Sequence, residues 1–164
     1  MNTPIINLVL LKRFVTNEPS VFDDTVYSVR YHLQQAGFEV LVSCNVIAPD
    51  ALNIIWGVGT WGSPTLEQMR QLAKPEYSII FNMEQLGSDS ALVTDEYLQF
   101  LSEYRVFDYN QHNIDALQAR FPTPSARNSR YCRPPPSPAT LPSTGRKPIN
   151  APTWRSGART TTVA

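Results

Sequence analysis

Two short clusters of carboxylate and amide side chains, Asn82-Met83-Glu84-Gln85 and Asp108-Tyr109-Asn110, are where chemistry is expected in this chain. Each directly follows a short apolar run, Tyr77 to Phe81 and Val106-Phe107, of the kind that forms a buried strand. In an open α/β sheet, ligands bind outside the carboxyl ends of the strands. Asn82, Glu84, Gln85, Asp108 and Asn110 therefore make a candidate polar rim. Amides and carboxylates on such a rim can hydrogen-bond hydroxyl groups, as sugar recognition requires, and a carboxylate there can serve as a general base. A competing reading makes Asn82, Asp108 and Asn110 ordinary turn and cap residues. Glu84 has no capping role to absorb it.

Other familiar chemistries lack their residues. The turn after the first apolar run, Lys12 to Pro19, contains no glycine, so it offers neither a dinucleotide fingerprint nor a phosphate-cradling loop. A phosphate receiver site would need an acidic pair ending the first strand and an Asp ending the third. Here Asp23 and Asp24 open a helix instead, and the third strand ends in Trp56-Gly57. His32 and His112 have no second His or Cys at a ligand spacing, and Cys44 and Cys132 form neither a disulfide framework nor a CxxC pair. No metal or cofactor is expected. Gly57, Gly59 and Gly62, interleaved with Trp56 and Trp61, suit either tight turning or a loop over a ligand.

The elements that must position the rim follow from periodicity. Ile5 to Leu11 is a nearly continuous apolar run, expected of a central strand covered on both faces. Ser20 can cap a helix whose apolar side is Phe22, Val26, Val29 and Leu33, with Gly37 at its C-terminus. Phe38, Val40 and Val42 alternate as a second strand, and Ala51 to Trp56 reads as a third. The pairing of that third strand is open, because the link from Ser43 is shorter than the dozen or so residues of a parallel crossover. A helix opened by Ser63-Pro64, with Leu66, Met69 and Leu72 inward, precedes the strand Tyr77 to Phe81. Thr94 caps a helix with Tyr97, Leu98, Leu101 and Tyr104 inward. Asn110 caps the last helix, with Ile114, Leu117 and Phe121 inward, ended by Pro122. The alternation predicts an α/β three-layer sandwich with a mostly parallel sheet of about five strands.

Charge divides the chain. Residues 1–115 carry a formal −8 and residues 116–164 carry +8, with nine of the fourteen prolines and no acid. Residues 1–121 suffice for one domain. Residues 122–164, rich in Pro, Ser, Thr and Arg, are expected to be a disordered basic tail, since they bury too little to offset roughly 1 to 2 kcal/mol of backbone entropy per residue. The tail contains a PxxP spacing at Pro134 to Pro138, which suits polyproline recognition. Its cations could attract nucleic acid, but aromatic interleaving stops at Tyr131 and Trp154, so nucleic acid is not an expected partner. The first apolar run is too short to span a bilayer, and Lys12 and Arg13 follow it rather than precede it. A cytoplasmic protein without a membrane span is expected.

The stretch Ser78-Ile79-Ile80-Phe81-Asn82-Met83-Glu84-Gln85-Leu86, then Thr94 to Leu101, then Val106-Phe107-Asp108-Tyr109-Asn110 with Asn113-Ile114, resembles a known pattern. It is similar to the amino-terminal half of bacterial glycosyltransferase-like proteins of the two-lobed GT-B type. In these an N-x-E-Q turn and a W/F-D-Y-S/N turn follow successive strands. The helix from Phe22 and the segment Asn45 to Gly57 also look similar, so the resemblance covers roughly residues 5–121. It implies a Rossmann-like lobe facing a sugar acceptor, with the sugar nucleotide held mainly by a second lobe. Where a second lobe would follow, this sequence continues into acid-free Arg, Pro, Ser and Thr, as out-of-frame translation of a GC-rich gene often yields. The expectation is a truncated or frameshifted glycosyltransferase-like protein, inactive alone. The alternatives are one subunit of a split transferase, whose partner is a donor-binding polypeptide, and a small α/β binding module with a basic tail. No catalytic residue is assigned.

Overall fold

The computed structural model describes residues 5–11, 21–60, 64–87 and 91–131 of the 164-residue chain. The expectations placed on Lys12 to Pro19, Ser20, Ser63, Cys132 and the tail from residue 132 onward lie outside the described residues. Six strands form one all-parallel sheet in the order β2-β1-β3-β4-β5-β6. They are β1 Ile5–Leu10, β2 Glu39–Cys44, β3 Leu52–Trp56, β4 Ser78–Asn82, β5 Arg105–Asp108 and β6 Arg130–Tyr131. The helices are α1 Asp23–Gln35, α2 Leu66–Leu72, α3 Asp95–Glu103, α4 Gln111–Arg120 and α5 Pro124–Arg127.

Alternation along the strands sorts side chains into two cores. One face of the sheet presents Val9, Leu11, Ile55, Ile80 and Val106 to Met69 of α2, Phe100 and Leu101 of α3, and Ile114 and Leu117 of α4. The opposite face presents Ile6, Leu8, Leu10, Ile54, Trp56, Ile79 and Phe81, and α1 covers it with Val26, Phe22, Val29 and Leu33. The α1 face is the one that periodicity predicts. That helix ends as expected at Gly37, whose φ of +89° lets Phe38 N–H reach Leu33 O at 3.1 Å while Gly37 N–H bonds Gln34 O at 3.0 Å.

Other elements shift from their expected bounds. α2 begins only after Thr65, which forms a capping box with Gln68, and Leu72 is exposed rather than inward because the inward side is taken by Met69 and, four residues on, Ala73, both fully buried. On α3 the fully buried Phe100 adds to the expected stripe and lies beneath the Arg70 guanidinium, 5.5 Å away. Arg70 in turn grips Glu103 with two hydrogen bonds of 2.8 and 3.0 Å, joining α2 to α3. The ordered unit runs past Phe121. Thr123 caps α5, Ala126 enters the core, and β6 pairs with β5. A two-residue strand beginning with Arg130 gives too little periodicity to be read.

β1 lies between β2 and β3, one strand in from the edge rather than at the sheet centre. The β2 to β3 crossover is residues 45–51, with no helix. It works because side chains of the strands hold it down. Asn7 Nδ2 donates to Val46 O at 3.0 Å and to Asn53 Oδ1 at 2.9 Å, and Asn53 both accepts from Ala48 N–H and donates to Ala48 O at 2.9 Å. Asn45, at φ +56°, makes the turn into this link. The buried Asn7 and Asn53 thus satisfy an extended segment that a helix would satisfy by itself.

Candidate functional site

β4 and β5 end side by side, with Asn82 and Asp108 as register partners. Both side chains are fully buried on the α3 and α4 face of the sheet. Asn82 Nδ2 donates to Asp108 Oδ2 at 2.6 Å and to Glu84 O at 2.8 Å. Its Oδ1 accepts from the Tyr97 hydroxyl at 2.8 Å and from Glu84 N–H at 3.2 Å. From α4, Asn113 Nδ2 donates to both Asp108 oxygens at 3.1 Å and to Glu84 O at 2.9 Å, while its Oδ1 accepts Leu86 N–H at 2.9 Å. Asp108 Oδ1 also accepts Asn110 N–H at 2.7 Å. Each donor and acceptor of the Asn82 amide is used, as buried polar groups require.

The charges follow from this enclosure. Loss of water pushes the Asp108 carboxyl above its ordinary 3.8, against the opposing pull of hydrogen bonds from Asn82, Asn110, Asn113 and Tyr109. Burial, with the carboxylates of Glu84 and Asp108, holds the Tyr97 hydroxyl far above the ordinary tyrosine range, so it remains a donor. The same three causes raise Tyr109, led by burial, with Asp108 next and Glu84 last.

The five expected rim residues are therefore brought to one edge but divided in role. Asn82 and Asp108 are sealed inside and lock the two turns together. Asn110 caps α4, its side chain accepting His112 N–H at 3.0 Å. Glu84 is half-buried and Gln85 exposed, so these two, with half-buried Tyr109 and Asn110, present the accessible polar surface. Sequence reasoning missed Tyr97 and Asn113 as members of the network. The signal for Asn113 was an amide on the inward side of a helix, next to Ile114 and four residues before Leu117. Tyr97 looked merely apolar by its place in the stripe.

Beside the network, the glycine turn after β3 is tight. Gly57 and Gly59 hold φ of +85° and +78°, and a Cβ on Gly59 would lie 2.9 Å from the Tyr97 ring. A cleft of about 280 Å³ opens there at the carboxyl edge of the sheet, lined by Thr60, Thr65, Leu66, Leu92, Thr94 and Tyr97. A second cleft of about 290 Å³ lies between α3 and α4, bridged by the Arg120–Asp95 ion pair at 2.8 Å. Among the described residues no group of three or more His, Cys, Asp or Glu could hold a metal ion, and no helix is long and apolar enough to cross a membrane. Comparison with protein-family models, with curated proteins and with solved structures gives no match for this chain.

Proposed function

We propose that this α/β unit, which runs past Phe121 to Tyr131, is the acceptor-side lobe of a glycosyltransferase-like protein, inactive without a second lobe that holds the donor sugar nucleotide. The observation that supports this most is the Asn82–Asp108 lock. It fixes the turns after β4 and β5 so that Glu84, Gln85, Tyr109 and Asn110 share one rim at the carboxyl edge of the sheet, where open α/β sheets take ligands. Glu84 is the partly exposed carboxylate of that rim and the group suited to accept a sugar hydroxyl hydrogen bond. The neighbouring cleft, lined by three threonines, Tyr97, Leu66 and Leu92 among others, has the mixed polar and apolar lining that a sugar ring favours. Asp108 serves indirectly, because its carboxylate is enclosed. The reading keeps the protein cytoplasmic and leaves the donor lobe to the same or a separate polypeptide.

Titration of the full chain with glucose, mannose, maltose and UDP-glucose, followed by amide NMR, tests it. The expected result is saccharide-dependent shifts at Glu84, Gln85, Tyr109 and Asn110, abolished by Glu84→Gln, without UDP-glucose hydrolysis or transfer. Shifts confined to other surfaces, or turnover by the chain alone, would overturn it.

A further inference from the structure

The two outer edges of the sheet are unlike. β6 is two residues long and begins with Arg130, so it offers almost no template for pairing. β2 is a six-residue strand, Glu-Val-Leu-Val-Ser-Cys, paired with β1 in unbroken register from Ile5↔Glu39 to Leu10↔Cys44. No other strand among the described residues lies beyond it. It has no proline, no lysine and no bulge, and its one charge is at its first residue, so the usual devices that blunt an edge are absent. Leu41 is 46% exposed, and Phe38, immediately before the strand, is 37% exposed.

The ladder also fixes which backbone groups are free. Asn45 N–H bonds Leu10 O at 3.0 Å, continuing the register of β2 on β1. In a parallel ladder alternate residues direct both amide groups to the same neighbour, so Glu39, Leu41 and Ser43 face β1. Val40, Val42 and Cys44 then point N–H and C=O outward.

We propose that β2 pairs antiparallel with β2 of a second copy of this chain, about a two-fold axis at Leu41, giving a continuous twelve-stranded sheet. The strand is complementary to itself in that register. The outward amides of Val40 meet those of Val42 from the second copy as a hydrogen-bonded pair. Leu41 meets its own copy at the non-hydrogen-bonded position, where side chains approach most closely. Glu39 falls opposite Ser43, so no like charges meet. Phe38 falls opposite Cys44, which is half-buried and free. Even spacing about Leu41 keeps each face of the sheet continuous, with Val40 and Val42 on the α1 side and Leu41 on the other. This pairing is independent of any sugar-binding role.

Sedimentation of the full chain over a range of concentrations reads the assembly directly. The expected result is a mass that doubles with concentration. Val42→Pro removes an outward N–H together with part of the Val42 packing on the α1-side core, and Leu41→Lys, on the opposite face, sets two ammonium groups against each other at the axis; both are expected to leave a folded monomer by circular dichroism. Leu41→Cys, with Cys44 and Cys132 changed to Ser, is expected to form a disulfide-linked dimer, since non-hydrogen-bonded partners have Cα atoms about 4.5 Å apart. Leu72→Cys, more exposed than Leu41 and remote from β2 in sequence, serves as the control. A monomer at every concentration overturns the proposal. So does a dimer that survives both Val42→Pro and Leu41→Lys, or cross-linking as efficient through Leu72→Cys.

Discussion

Asn82 and Asp108 are direct partners on adjacent parallel strands, and the amide of one donates to the carboxylate of the other at 2.6 Å while both are shut off from water. Removing the carboxylate leaves the Asn110 N–H and one N–H of each of the Asn82 and Asn113 amides without an acceptor, the other N–H of each amide keeping Glu84 O. Each unpaired buried donor costs about 1 to 3 kcal/mol, and partial relaxation reduces the sum. Asp108→Ala is therefore expected to lose about 3 kcal/mol in urea unfolding, against about 1 kcal/mol for Asn110→Ala, which removes a helix cap only. Equal, small losses for both would show that the lock is not structural.

The same enclosure predicts a pH dependence of defined sign. Asp108 is raised in the folded state, so the folded protein holds that proton more tightly than the unfolded chain. Its favourable contribution is complete below the ordinary value of 3.8 and is lost as pH rises through the folded value. The cost of Asp108→Asn relative to the native protein should thus be largest in acid and shrink with rising pH above that point. A cost that grows with pH instead would mean that the hydrogen bonds outweigh desolvation. At the alkaline end Tyr104, whose hydroxyl donates to Ala73 O at 2.8 Å, is pushed up to about 12 chiefly by burial. Stability should fall as pH rises from 10 toward 12, and Tyr104→Phe should flatten part of that fall.

Gly59 carries the packing of the network's hydroxyl arm. At φ +78° a side chain is strained, and a Cβ would also press on the Tyr97 ring from 2.9 Å. Gly37, at φ +89°, has the same backbone strain but nothing within 4 Å. Both glycine-to-alanine changes cost about 1 kcal/mol for the backbone, and Gly59→Ala should cost about 1 to 2 kcal/mol more for the displaced ring. Thermal unfolding of the pair isolates that difference. If the two variants melt alike, Tyr97 is free to shift and the lock does not depend on the turn.

What could be read in the sequence was whatever has a period or a cap. The strands, the inward stripe of α1, the Gly37 terminus and the Thr94 and Asn110 caps are local events with local signals. The rim residues were legible by the same logic, since they follow strands. Which of them face solvent was not, because Asn82 and Asp108 are buried by Tyr97 and Asn113, whose contributions depend on how α3 and α4 pack. The β2 to β3 crossover was illegible for a related reason. A helix announces itself by spacing, whereas residues 45–51 are held by Asn53 from the strand that follows and by Asn7 from β1, far back in sequence. β6 was lost in compositional bias, two residues long inside a basic stretch.

Asn53 and Ser78 make the sharpest contrast, because they are register partners on β3 and β4 and both are buried. Asn53 spends its amide on Ala48, Ala51 and Asn7, and so anchors the helix-free crossover. Ser78 Oγ has no hydrogen-bond partner among the described residues and borders a cleft of about 140 Å³ beside Ile47 and Tyr77. A buried hydroxyl without a partner has given up its water for nothing, whereas a buried amide with several partners holds two segments together. Asn53→Ala is therefore expected to cost about 2 to 3 kcal/mol and to speed amide exchange at Ala48, with its anchor gone. Ser78→Ala should leave stability unchanged or raise it by up to about 1 kcal/mol. Urea unfolding of the two variants decides the matter. A loss for Ser78→Ala comparable to that of Asn53→Ala would mean that the hydroxyl is satisfied, and that the cleft beside it holds the group that satisfies it.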